Sequence, residues 1–153
     1  MEIREAKQTD LPQILSVYKH AISQISSKQL TEQQLNVWAL GANNTKKWTT
    51  RIEKDYFIIA EQANHIVGFA YFTQGNMLAG LYVQQSHKRQ GIGAKLLRVM
   101  ESRAISQGYN QIKANIVPSA LPFFDDYFYE VEKKYRKHLK GVAFDMLGIY
   151  KNL

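Results

Sequence analysis

Residues Leu78 to Met100 read Leu-Ala-Gly-Leu-Tyr-Val-Gln-Gln-Ser-His-Lys-Arg-Gln-Gly-Ile-Gly-Ala-Lys-Leu-Leu-Arg-Val-Met: a strand-like run, a short basic loop, two glycines and then a helix. From Ile92, the apolar residues Leu96, Leu97, Val99, Met100 and Ala104 fill one arc of a helix, while Lys95, Arg98, Glu101 and Ser102 fall on the other side. Gly91 and Gly93 stand where that helix begins. A helix N-terminus leaves backbone N–H groups unpaired and carries the positive end of the dipole, so a Gly-x-Gly entry lets a phosphate come against the main chain. The stretch therefore reads as a diphosphate cradle. The plainer alternative is a glycine pair that ends a strand and starts a helix, and the rest of the chain has to separate the two.

Several cradles share this grammar. A dinucleotide fingerprint wants a third glycine three residues after Gly93, where this chain has Leu96, and a P-loop closes on Gly-Lys-Ser/Thr, which does not occur. What is left, Lys88-Arg89-Gln90-Gly91-Ile92-Gly93, resembles the Arg/Gln-x-x-Gly-x-Gly/Ala signature of the GNAT acetyltransferases. The resemblance implies that Lys88, Arg89, Gln90, Gly91, Ile92, Gly93 and Ala94 hold the pyrophosphate of acetyl-coenzyme A. Lys88 departs from the family's arginine or glutamine, which keeps a donor and loses the planar fork. His87 stands where the family commonly has tyrosine and is expected to be an exposed loop side chain.

With 153 residues, 45% of them hydrophobic and 22% charged, the chain suits a single domain over residues 1–153 with a real core. Lys and Arg number 20 against 13 Asp and Glu, a formal +7 that favours anionic ligands and would also suit nucleic acid. There is no cysteine, which excludes disulfides, thiolate zinc clusters and any acetyl-cysteine relay; no metal is expected. No secretory apolar segment opens the chain and no apolar run of about 18 residues occurs, so a cytoplasmic protein without membrane contact is expected.

In chain order, Met1 to Lys7 is an expected first strand, and Asp10 with Gln13 has the spacing of a capping box. The helix behind it carries Leu11, Ile14, Leu15, Tyr18, Ala21, Ile22 and Ile25 on one stripe, with His20 opposite as a solvated side chain. Thr31 to Gln34 is a second capping box, opening a short helix through Leu35, Val37 and Trp38; Lys46 to Ile52 adds a turn or two carrying Trp48. Both tryptophans are thereby expected in a helical insert outside the regular core, either anchoring it to the sheet or walling an acceptor pocket. Tyr56 to Glu61 and Ile66 to Phe72 form a hairpin, a turn at Gln74 to Asn76 leads to the strand through Val83, and Gly108 caps the long helix. Gln111 to Ile116 must return parallel, Pro118 to Phe128 is a short helical segment, and Tyr129 to Tyr135 and Val142 to Tyr150 are the last strands. This α/β order, a mostly antiparallel mixed sheet with one parallel crossover and flanking helices, is similar to the GNAT fold along nearly the whole chain.

Residues 120–129, Ala-Leu-Pro-Phe-Phe-Asp-Asp-Tyr-Phe-Tyr, resemble the family's second coenzyme A motif, Ala-x-x-Phe-Tyr-x-x-x-Gly-Phe, with Phe124 at the usual tyrosine and Phe128 at the usual glycine. With the Thr31 to Trp38 helix and the closing Gly141-Val142 strand, this resembles a bacterial branch of uncharacterised, YafP-like N-acetyltransferases. The resemblance implies main-chain N–H groups around Leu81, Tyr82 and Val83 facing the pantetheine and acetyl carbonyl, a contact from Asn115, and Phe124 beside the cofactor. Phe124 cannot donate a proton to the leaving thiolate; Tyr127, three residues on, is the candidate catalytic hydroxyl, and a packed aromatic is its alternative. No carboxylate lies between Met77 and Gln85, and Glu53, Asp55, Glu61, Asp125, Asp126 and Glu130 read as solvated charges that could reach the cleft.

The function expected is direct acetyl transfer from acetyl-CoA to a primary amine, carried by a small molecule or a protein. Two alternatives stay open: a coenzyme A-binding regulatory module without turnover, and an acetyltransferase acting on charged tRNA. Basic residues are spread through the chain apart from the Lys133 to Lys140 run, which has the composition of a solvated strand and turn, so nucleic acid is the less expected partner. A homodimer is left open.

Overall fold

The computed structural model describes residues 1–84 and 91–153, so His87, Lys88, Arg89 and Gln90 lie outside the described residues. The described strands are β1 (Glu2–Glu5), β2 (Phe57–Gln62), β3 (His65–Thr73), β4 (Met77–Val83), β5 (Gln111–Ile116), β6 (Glu130–Leu139) and β7 (Val142–Asn152). Five α-helices join them: α1 (Leu11–Ser23), α2 (Glu32–Ala39), α3 (Thr45–Lys54), α4 (Ile92–Ser106) and α5 (Leu121–Asp125). The strands make one sheet in the order β1-β2-β3-β4-β5-β7-β6, antiparallel throughout except for the parallel pair β4–β5. That is the mixed, mostly antiparallel sheet with one crossover that the element order predicts, α4 being the crossover.

Alternation along the strands divides the core in two. Ile58 and Ala60 of β2, with Val67, Ala70 and Phe72 of β3, meet Ile92, Leu96, Leu97, Met100 and Ala104 of α4, and Phe124 of α5 joins them. Phe57, Ile59, Phe69 and Tyr71 point the other way, onto Ile14, Val17, Tyr18 and Ile22 of α1 and Trp48 and Ile52 of α3. Each large aliphatic or Phe side chain among them, fully buried, contributes about 1.5–3 kcal/mol, so the faces of α1 and α4 hold the sheet from both sides. A third cluster, Leu30, Val117, Phe144 and Met146, lies under α2 at the β7 end.

Three expectations are corrected. The Asp10–Gln13 box does not form: the Asp10 carboxylate accepts from Lys7 N–H at 2.7 Å and pairs with the Arg4 guanidinium at 2.8 and 3.0 Å, while Gln13 Oε1 accepts from Ile66 N–H at 3.0 Å. A charge-assisted pair to Arg4 is stronger than a neutral box, so it claims the carboxylate. The stripe of α1 includes Val17, whereas Ile25 falls beyond the helix end. Trp48 is 1% exposed and sits at the centre of the second core, ringed by Tyr18, Phe57, Phe69 and Tyr71, and so belongs to the core itself. The Thr31–Gln34 box does form, with reciprocal bonds of 2.9 and 3.1 Å, and Gln34 Nε2 donates on to the Ala143 carbonyl, tying α2 to β7.

Candidate active site

The site begins with a misfit between two strands. Tyr71 pairs with Gly80 and Phe72 with Leu78, which leaves Ala79 as an extra residue on β4. The bulge resets the alternation, so Leu78, Leu81 and Val83 all face α4 while Tyr82 faces α1. On its other edge β4 pairs with β5 only at Met77–Lys113 and Leu78–Ala114. Past that point the strands part, and among the described residues the β5-facing backbone of β4 from Ala79 onward meets no strand. Backbone N–H groups left over in this way are available to a ligand.

The N-terminus of α4 opens on the same face as Leu81 and Val83. Gly91 has φ 77°, a left-handed conformation, and a side chain there would meet nothing within 4 Å. The first helical bond runs from Lys95 N–H to Gly91 C=O at 3.0 Å, so the N–H groups of Ile92, Gly93 and Ala94 have no partner within the helix. A Cβ at Gly93 would lie 3.2 Å from the Phe123 ring, which places α5 across this terminus. Space, free donors and the helix dipole fit a diphosphate.

Behind the splay lies a cleft of about 460 Å³. Gly80, Leu81 and Tyr82 form its floor with Ala114 and Asn115 of β5; Tyr18 and Trp38 wall it on one side and Phe124 and Phe144 on the other. Tyr18 donates to the Trp38 carbonyl at 2.7 Å, fixing α1 to α2 at the rim. Lys47 and Arg51 of α3, Lys137 of β6 and Lys140 in the β6–β7 turn also line it, and among the described residues no Asp or Glu does. The Arg51 guanidinium carbon stands 4.7 Å from the centre of the Trp48 ring and 5.0 Å from that of Tyr71.

These surroundings set the protonation states. Burial pushes the Tyr18, Tyr71 and Tyr82 phenols above their ordinary range, so they are donors at neutral pH. The Lys137 ammonium is pushed down, first by desolvation and then by Lys47. Asp55, at the end of α3, is pushed up by burial and partly held down by Arg51; it is half-buried and does not line the cleft.

The profile of the acetyltransferase (GNAT) domain family matches residues 26–146. The chain belongs to the GNAT acetyltransferases. It is 24% identical over 144 residues to the uncharacterized N-acetyltransferase YafP of Escherichia coli, covering 94% of this chain and 91% of that one. The GCN5-related N-acetyltransferase of Rhodopseudomonas palustris superposes with a TM-score of 0.95 at 21% identity, over 99% of this chain and 95% of the other. The PaiA N-acetyltransferase of Thermoplasma acidophilum, solved in complex with coenzyme A, gives 0.84 at 17% identity over 99% and 98%. No helix among the described residues is long and apolar enough to cross a membrane.

Of the residues expected in this GNAT site, Leu81, Tyr82, Asn115 and Phe124 line the cleft, and Val83 and Gly93 lie together on the α4 side. The Ile92 side chain is buried in the core, which leaves only its main chain toward a ligand. Asn115 is exposed, with Nδ2 3.7 Å from the Met77 sulfur. Tyr127 packs on Phe123, ring centres 5.2 Å apart, and does not line the cleft. Tyr18, Lys47, Arg51, Lys137 and Lys140 were not expected there. Arg51 had a signal, three residues after Trp48 on one helix face, whereas Lys137 and Lys140 carry none beyond a basic composition.

Proposed function

We propose that this N-acetyltransferase moves the acetyl group of acetyl-CoA directly to a primary amine bound in the cleft between α1–α3 and the β6–β7 hairpin. The observation that carries this is the β4 edge, which runs unpaired from the cleft toward the α4 N-terminus. Acetyl-CoA supplies the activated thioester. The N–H groups of Ile92, Gly93 and Ala94 would hold its pyrophosphate, the β4 backbone at Leu81 to Val83 would hold the pantetheine and polarise the carbonyl, and Phe124 and Asn115 would flank the thioester. The amine nitrogen forms the new C–N bond as the C–S bond breaks, with no cysteine to take the acetyl group on the way.

An amine of pKa ~10.4 arrives mostly protonated and must lose that proton before attack. Among the described residues four cations and no carboxylate line the cleft, and like charge lowers an amine's pKa, so the field favours the neutral amine and water carries the proton out. A thiol of pKa ~8.5 is a fair leaving group, so Phe124 in place of a tyrosine leaves turnover intact. Tyr127 packs on the Phe123 ring that covers the α4 terminus and does not line the cleft, so it is assigned no proton transfer to the departing sulfur.

Calorimetric titration with acetyl-CoA, coenzyme A, ATP and NADH, repeated on Gly91→Asp, tests the cofactor. Binding of the two CoA species alone is expected, weakened on the order of 100-fold in the variant, where a carboxylate would face the pyrophosphate. Equal binding by Gly91→Asp would overturn the cradle. Binding without CoA release across an amine panel would favour a non-catalytic module instead.

A further inference from the structure

We propose that the acceptor is a small amino acid, its carboxylate bound by Arg51 and its amine directed at the β4 edge. This rests on the acetyl-transfer reading above and names the substrate class that the same cleft takes.

The strongest pointer is the state of Arg51. It is half-buried, its guanidinium lies against two aromatic rings, and among the described residues it has no ion pair and no side-chain hydrogen bond. An arginine removed from bulk water normally finds a carboxylate; Asp55, four residues on, acts on Arg51 only through space, makes no ion pair with it and lies outside the cleft lining, so a ligand carboxylate is the natural close partner. Its planar fork matches a carboxylate with two parallel bonds, and the ring contacts fix it beforehand, so little freedom is lost on binding. Lys47, Lys137 and Lys140 also lack ion pairs among the described residues, although every one lines the same cleft. Nor does Arg51 face the α4 terminus that would hold the phosphates. Trp48, which Arg51 covers, packs on the face of the sheet opposite α4.

The rest of the lining limits the body of the acceptor. Tyr18, Trp38, Tyr82 and Phe144 suit an apolar side chain. A polycationic amine would add charge to a cleft that already carries four cations, and a neutral alkylamine would leave Arg51 unpaired. An acceptor that brings its own anion answers both.

The test is CoA release at saturating acetyl-CoA. L-Leucine and L-phenylalanine are compared with their amides, with isopentylamine and phenethylamine, which lack the carboxyl group, and with spermidine. Because the amide's amine is the more easily deprotonated, a preference for the free acid cannot arise from basicity. The acids should exceed their amides at least about 10-fold in kcat/KM. Arg51→Gln should raise KM for the acids about 10- to 100-fold, with the Kd for acetyl-CoA unchanged, and Arg51→Lys should recover part of the loss. Thermal melting confirms that each variant is folded. Turnover of the amides, the decarboxylated amines or spermidine at equal or higher efficiency would overturn the proposal, as would turnover confined to peptide N-termini. If acetyl-CoA binds and no amine is acetylated, leucine and phenylalanine are titrated into the protein–CoA complex, and absence of heat overturns it. If acetyl-CoA itself does not bind, the failure lies with the cofactor reading, and this inference falls with it.

Discussion

The two faces of the sheet make their halves of the site by different means. Toward α4, the groups offered to a ligand are main-chain N–H groups: the free terminus of one helix and, among the described residues, the unpaired edge of one strand, close together in sequence. Toward α1 and α3, they are side chains, and Tyr18, Trp38, Arg51, Tyr82 and Lys137 come from five separate elements. A backbone site asks only that side chains stay out of the way, so glycines mark it locally. A side-chain site asks for convergence of distant segments, which no short motif records. One face can therefore be common to a family while the other is free to vary its acceptor.

Two glycines, one on each side, put this contrast to the test and carry the largest expected effect on stability. A Cβ at Gly80 would lie 2.3 Å from Tyr71 Cε1, and that ring is 4% exposed and stacked 5.0 Å from Phe57. It has nowhere to go. Gly80→Ala should cost about 2–3 kcal/mol and disturb the acceptor wall, as overpacking does. Gly91→Ala meets no atom and carries only left-handed strain, partly offset by a stiffer unfolded chain, for a net cost of about 1 kcal/mol. Urea denaturation of both variants decides the matter. A larger loss for Gly91→Ala would mean that the α4 side is the sterically tight one, and the contrast would be inverted.

The same division explains what could be read from the residues. The Gly-x-Gly helix entry, the hairpin over 56–72 and the Thr31–Gln34 box are local patterns, and each forms as its spacing predicts. The Asp10–Gln13 box has identical spacing and fails, because Arg4 reaches the carboxylate from β1 and Ile66 reaches the glutamine from β3. Local grammar cannot see a competitor that tertiary structure brings. Trp48 was hidden for a related reason: its helix is strongly polar around it, and only the assembled sheet shows that Phe57, Phe69 and Tyr71 surround it. Lys137 and Lys140 belong to a run whose exposed strand and turn match its composition, and the β6–β7 register alone brings them to the cleft.

A smaller effect comes from the seam between β1 and α1 on the side-chain face. Asp10 is held below the usual carboxylate range, chiefly by the Arg4 guanidinium. A depressed folded pKa stabilises above the unfolded value, and that stability is lost as pH falls through the folded one. Asp10→Asn should thus cost about 1–2 kcal/mol at pH 7, with the gap to the parent closing below about pH 4. Denaturation midpoints from pH 7 to 3 measure it. A gap that stays constant would show that the pair is packing rather than charge.

The smallest effect separates two caps on the α4 side that share one hydrogen-bond pattern. At the end of α4, Gly108 N–H donates to Ile105 C=O and Tyr109 N–H to Ala104 C=O, with Gly108 at φ 89°. At the end of α5, Phe128 N–H donates to Asp125 C=O and Tyr129 N–H to Phe124 C=O, with Phe128 at φ 70°. Both are Schellman turns, and the second has its accompanying apolar contact, the Phe124 and Tyr129 rings 5.2 Å apart. The family's glycine at this position is what the turn demands, whereas Phe128 sits there 81% exposed. Left-handed strain of about 1–2 kcal/mol is therefore stored with almost no burial to offset it. Phe128→Gly relieves the strain and returns part of it as unfolded-chain entropy, a net gain of about 0.5–1 kcal/mol and a Tm higher by about 2 °C. If Tm rises while acetyl-CoA affinity is unchanged, Phe128 is a tolerated departure in a backbone-built face. If Tm rises and affinity falls, the exposed ring reaches the cofactor, and that face too depends on a side chain.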